Sequence, residues 1–236
     1  MSRRHNSATP VETVRKLFTI LLLVVGSLTR GFAGGTDSAS MNIKQEYLRQ
    51  TASLSRQTKE YPESCVKALR QLLEKADAAT RQAEYERLTK SQQADTAFDS
   101  VLAQSFVEYF LKQSDTNSLQ NLLATKCPDY VGGIPLEFVL AASSAKMLLP
   151  LPRAFQTASD ESRGTILACL ARAFPTLKQP GVSDADFARE CERWVSQNSE
   201  NFTLNRSYPY LPALPPPDPR LPVDASKAGL FIAKEK

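Results

Sequence analysis

From Thr36 to Cys127 the chain contains no glycine and a single proline, Pro62. Glycine and proline are the residues that most often interrupt helices. So long a stretch without them points to helices joined by short polar turns. Pro62-Glu63-Ser64 opens one. Val66, Leu69, Leu72, Leu73 and Ala76 follow at helical spacing, with Lys67, Arg70 and Glu74 between them, which is the pattern of a helix with one buried face. A charged helix is expected from Thr80 to Lys90. Asp95 or Thr96 can cap a third, whose apolar stripe is Phe98, Val101, Leu102, Phe106, Tyr109 and Phe110. Asp115 to Asn117 reads as a turn and Ser118 to Thr125 as a short helix.

Cys127-Pro128 and Gly132-Gly133 break the pattern. Leu136 to Met147 resumes it as a nearly apolar helix, expected to be central and buried, and Pro150 and Pro152 punctuate the segment after it. Asp160-Glu161 begin another helix, their charges suiting its N-terminal dipole, with Ile166, Leu167, Leu170 and Phe174 facing inward. Ser183 caps the last helix. Asp186 stands three residues later as in a capping box, and Val182 can meet Phe187 as a staple. Phe187, Cys191, Trp194 and Val195 line its inner face. The only strand candidates are Ile134 and Leu230-Phe231-Ile232. From Asn201 the composition changes, and the proline-rich run from Tyr208 to Pro217 should be extended. The resulting division is a leader at 1–33, an N-terminal helix or linker at 34–60, a helical domain at 61–200 and an extended tail at 201–236. The expected fold class is all-α.

The leader is a positive segment followed by Leu17 to Leu28, an apolar run of about a dozen residues, and then Gly31-Phe32-Ala33-Gly34. This is the layout of a secretory signal cut between Ala33 and Gly34. A spanning helix needs roughly 20 apolar residues, and Arg30 interrupts too early for that. An uncleaved membrane anchor is the alternative. Removal of 1–33 takes away five basic residues and one acid and leaves 24 of each. The formal charge of +4 then disappears, and with it the electrostatic case for nucleic acid or an anionic membrane as partner. The chain's one histidine, His5, lies in the leader. Without it, Ser-His-Asp and Cys-His mechanisms and imidazole zinc sites are excluded. No cofactor or metal is expected.

Four cysteines in an exported chain allow two disulfides in three connectivities. Helical heights favour Cys169 with Cys191, and Cys65 with Cys127 by elimination. The competing reading is that all four are buried free thiols. Carboxylate pairs occur at Asp160/Glu161, Asp184/Asp186 and Glu190/Glu192, where capping or solvated faces are expected rather than acid–base work. Asn201-Phe202-Thr203 and Asn205-Arg206-Ser207 are glycosylation sequons. Pro212-Ala213-Leu214-Pro215 has PxxP spacing, and Tyr208, Tyr210 and Leu211 are expected to dock across the last helices.

Successive helical pairs, in which Asp160 to Phe174 reads Asp-x-x-Arg and then apolar residues at helical spacing, resemble a HEAT-type α-helical repeat over about residues 95–200. The resemblance implies a small right-handed stack of helical hairpins presenting a surface to a partner, and it carries no catalytic residue. The uneven spacing leaves an irregular helical bundle as the competing architecture. The expected function is that of an exported, periplasmic or extracellular, non-enzymatic scaffold that binds another protein. A hydrolase or lyase working through carboxylates alone is the second possibility. Mass spectrometry of the mature N-terminus is expected to find Gly34 as the first residue. An intact Met1 would overturn the signal reading.

Overall fold

The computed structural model describes residues 42–58, 60–90, 96–205 and 229–233. The signal segment with Ala33 and Gly34, His5, Asp95 and the Pro-rich run lie outside them. The described chain is mostly helical, as expected. Helices α1 (Ile43–Thr51), α2 (Tyr61–Lys75), α3 (Ala78–Lys90), α4 (Thr96–Gln113) and α5 (Thr116–Thr125) precede a hairpin of β1 (Tyr130–Val131) and β2 (Ile134–Pro135). Then come α6 (Leu136–Ser143), α7 (Pro150–Ala154), α8 (Asp160–Ala173) and α9 (Asp184–Asn198), with short 3-10 turns at Ala145–Leu148 and Phe155–Thr157. Strands β3 (Phe202–Leu204) and β4 (Phe231–Ala233) form a second antiparallel pair. Of the strand candidates in the sequence, Ile134 lies in β2, and Phe231 and Ile232 lie in β4, with Leu230 just before it. Among the described residues no helix is long and apolar enough to cross a membrane.

The caps follow ordinary rules. Asn42, Asp115, Ser159 and Ser183 each accept the backbone N–H three residues on, satisfying a donor that the helix itself leaves orphaned. The Ser183 hydroxyl also donates to the Asp186 carboxylate, a side-chain bond in place of the backbone bond of a capping box, while Val182 stays 43% exposed.

The central helix is α4, not the Leu136–Met147 run. Phe98, Leu102, Ala103, Phe106, Val107 and Phe110 are all buried on it. These positions span more than one face, so α4 is surrounded by α2, α3, α5 and β1. Polar ties fix those contacts. Arg70 Nη1 donates to Glu108 at 2.8 Å, and Lys112 to Glu74 at 3.0 Å, between α2 and α4. Arg87 Nη2 donates to the buried Asp99 at 2.7 Å, between α3 and α4. Tyr85 packs edge-on against Phe106 and Phe110 and donates to Ser118 O.

The run expected as one helix stops at Ser143. Ser144 is extended, with φ −168° and ψ 143°, and its hydroxyl accepts Lys146 N–H to start the 3-10 turn. Serine competes for backbone partners in this way. Pro150 and Pro152 do not interrupt structure, because they lie in the first turn of α7, where a missing N–H costs nothing.

At the other end, Leu230 is fully buried and donates its N–H to Ala173 O at 3.2 Å. Phe174, Trp194, Phe202 and Phe231 form one aromatic cluster, with Trp194 4.8 Å from Phe202 and 5.4 Å from Phe231. The late residues that close this end in the structure are thus Leu230 and Phe231. The β1–β2 turn uses Gly132 and Gly133, with φ 61° and 87°, the positive values that a two-residue hairpin turn requires. A Cβ on Gly132 would lie 3.4 Å from Glu63 Cα. Gly132→Ala is expected to lower stability by about 1–2 kcal/mol, because left-handed backbone and tight packing coincide. Gly164→Ala, on the open face of α8 with no atom within 4 Å of the new Cβ, is expected to raise it by up to about 1 kcal/mol. Urea midpoints of the two variants check both signs.

Candidate functional site

Asp129 leads into β1, Glu137 stands in the first turn of α6, and Arg172 in the last turn of α8. Each charge is where a helix dipole or a turn favours it. The hairpin folds β2 directly into α6, and Leu136 N–H donates to Asp129 O at 3.0 Å. That brings the two acids to one guanidinium. Arg172 Nε donates to Glu137 Oε1 at 2.7 Å, and Nη2 donates to Glu137 Oε2 at 3.0 Å and to Asp129 Oδ1 at 2.6 Å. Glu137 is 0% exposed. The guanidinium also lies 5.8 Å from the Tyr130 ring centroid, and Nη2 is 3.2 Å from Cys169 Sγ, whose thiol points to Asp129 Oδ1 at 3.7 Å.

Beside this clamp lies a polar cavity of about 230 Å3 between α4, the Lys126–Asp129 loop and the start of α8, lined among others by Ser100, Lys126, Cys127, Asp129, Ser162 and Thr165. Most of its charge is already engaged. Lys126 pairs with Glu161 at 3.5 Å. Ser162 Oγ accepts Cys127 N–H at 3.1 Å, and Asp129 faces Arg172. Cys127 keeps part of its surface open. Burial first, and then the nearby Asp129 and Glu137 charges, push its thiol well above the ordinary range. Burial and then the neighbouring Cys127 do the same to Cys169, and burial pushes Cys191 up to about 12.

A second cavity, of about 470 Å3, is apolar. Tyr47, Leu48, Leu54, Tyr61, Phe98 and Val101 line it between α1, α2 and α4, and Arg56 stands at its rim. Leu48 is 53% exposed.

The residues singled out in the sequence fall elsewhere. All four cysteines are free thiols, so the Cys169–Cys191 and Cys65–Cys127 bridges are not formed. The reason is visible for two of them: Cys65 turns toward Tyr47 of α1, and Cys169 turns toward Asp129 and Arg172. The three acidic pairs are surface charges. Asp160 faces Arg163, Glu161 Lys126, Glu190 Arg193, and Glu192 Arg153. Bonds from Ser183 and then Arg189 hold the Asp186 carboxyl below its usual range. Asn201 is exposed, whereas Asn205 is 5% exposed and gives Nδ2 to Gly229 O at 2.9 Å. A glycan on Asn205 would oppose the β3–β4 closure. Among the described residues, no cluster of three or more His, Cys, Asp or Glu is arranged to hold a metal.

Asp129, Glu137 and Arg172 escaped sequence reasoning. One signal was available: Glu137 interrupts the apolar run Leu136-Glu137-Phe138-Val139-Leu140, and an acid there needs a partner. No spacing rule points to an arginine 35 residues away. No protein-family model, no curated protein and no solved structure matches this chain.

Arg172→Met leaves a buried carboxylate without its cation, which costs about 3 kcal/mol or more. Replacing Arg172 and Glu137 together by Met and Leu is expected to recover a large part of the loss. Chemical denaturation of the single and double variants reads the difference.

Proposed function

We propose that this is an exported, non-enzymatic helical protein that binds another protein, and that the apolar groove between α1, α2 and α4 receives an apolar segment of that partner. The observation that carries the reading is the groove itself. Its volume of about 470 Å3 is twice that of the polar cavity. Aromatic and aliphatic side chains line it, and Leu48 remains half exposed at its edge. Exposed apolar surface of this kind marks interaction sites. Arg56 at the rim favours a partner segment flanked by acidic residues. Packing order supports the HEAT-like architecture within this proposal. The most extensive contacts between α-helices are α2–α4, α5–α7, α1–α2, α4–α5 and α7–α9, between elements near one another in the chain, as in a stack.

A carboxylate-dependent hydrolase or lyase is the second reading. It draws on Asp129 and Glu137 meeting at one guanidinium beside a polar cavity. Against it stands the bidentate grip on Glu137, which commits both of its oxygens.

A photo-crosslinker at Leu48, followed by crosslinking in the exported fraction, tests the groove. The expected product joins Leu48 to an apolar segment of one partner, and Leu48→Glu is expected to weaken that partner's binding about tenfold with an unchanged melting temperature. A crosslink to residues 34–41 of the same chain, or undiminished binding by the variant, would overturn the reading. Hydrolysis of chromogenic glycosides that disappears in Asp129→Asn would favour the second.

A further inference from the structure

We propose that the polar cavity beside the clamp binds a small primary amine bearing several hydroxyls, of the size of one amino-sugar ring. The site lies between α4, the Lys126–Asp129 loop and the start of α8. It shares no lining residue with the apolar groove beside α1.

Charge selects the amine. The charged residues of the lining are Lys126, Asp129 and Glu161. Lys126 and Glu161 face each other at 3.5 Å and cancel. Behind them, Arg172 and Glu137 form their own bidentate pair. One negative charge is left over, and it belongs to Asp129. Its Oδ1 accepts from Arg172 Nη2 at 2.6 Å, whereas its Oδ2 has no partner among the described residues. The side chain is 43% exposed, so a ligand can reach that oxygen. A protonated amine there gains a charge-assisted hydrogen bond. A carboxylate or phosphate would meet repulsion at the same place.

Hydroxyls set the rest of the ligand. Ser162 Oγ accepts Cys127 N–H at 3.1 Å, and Ser100 Oγ accepts Gln104 Nε2 at 3.4 Å. Thr165 follows Ser162 by one turn of α8 and lines the same cavity. Among the described residues, none of these three hydroxyls donates its own hydrogen to a protein acceptor. Ser162 is 1% exposed, and a buried donor without an acceptor costs free energy that a ligand oxygen recovers. Ligand hydroxyls supply such oxygens, and a protonated alkyl amine does not. Ala103 and Pro128 add a small apolar patch, which suits the C–H face of a sugar ring. The volume of about 230 Å3 lies below the roughly 300 Å3 at which sites for drug-sized ligands begin. The cavity therefore takes one ring and not a chain of them.

The test titrates glucosamine into the folded full chain at about pH 6.5, where the amine is protonated, and reads the backbone amides by nuclear magnetic resonance. The expected result is saturable shifts at Cys127, Ser162 and Thr165. Glucose and N-acetylglucosamine lack the charge and should bind at least about tenfold more weakly. Ethylamine, with the charge and no hydroxyls, should also bind about tenfold more weakly. Asp129→Asn is expected to weaken glucosamine about tenfold. Asp129 also meets Arg172, so Thr165→Val is the variant that leaves the clamp intact. It should cost about fivefold in affinity with an unchanged melting temperature. Leu48→Glu, which tests the groove, should bind glucosamine as the parent does, so the two readings fail separately. No saturable shift at the cavity, equal binding of a neutral sugar or of ethylamine, or undiminished binding by Thr165→Val would overturn the proposal.

Discussion

Glu137 has no exposed surface, and a carboxylate so placed stays compatible with the fold only because Arg172 lies against both of its oxygens. The arrangement joins three parts of the chain that are far apart in sequence: the loop before β1, the start of α6 and the end of α8. Each partner also serves its own element. Glu137 complements the positive end of α6 and Arg172 the negative end of α8. The hairpin is then held from the other side by Gly132, whose N–H donates to Gln104 of α4 at 3.0 Å. Through this hairpin the clamp fixes how the α2–α4 half meets the α6–α9 half. The polar cavity exists because the loop is pinned there.

The two ends of the helical body are finished differently. At one end Trp194, Phe174, Phe202 and Phe231 pack together, and β3 and β4 close over α8 and α9. The aromatic surface is consumed internally. At the other end Tyr47 and Phe98 meet at 5.5 Å, yet Leu48, Tyr61 and Val101 still line an open groove. That asymmetry is the physical basis for placing partner binding beside α1. The stretch before Tyr61 is therefore more than a tether, since α1 packs on α2 and builds one wall of the groove.

Helices α2, α3, α4 and α9 were legible because their signals are local. Apolar residues recur every three or four positions, and Ser183 and Asp186 form a cap with neighbours three residues away. The errors came where a local rule met a distant partner. Leu136–Met147 looks like one buried helix by hydropathy, but Ser144 takes the backbone elsewhere and α4 occupies the centre. The adjacent acidic pairs are the capping and solvated charges that adjacency on a helix predicts. The acids that converge, Asp129 and Glu137, are separated by a hairpin and meet over an arginine from another helix. Helical height suggested Cys169 with Cys191, whereas height alone ignores which way each side chain turns about its axis.

The sequence by itself determined that the chain is all-α, where most helices start, and that a histidine-free, charge-balanced body lies beyond residue 33. Those properties depend on composition and on interactions within one turn. Only the tertiary structure decided which helix is central, which carboxylates are buried and where apolar surface stays open. These depend on side chains tens of residues apart in the chain, such as the 35 between Glu137 and Arg172 and the 40 between Asp129 and Cys169. Nothing in the local pattern specifies a partner at that range, because helix packing rather than sequence spacing sets the distance between them.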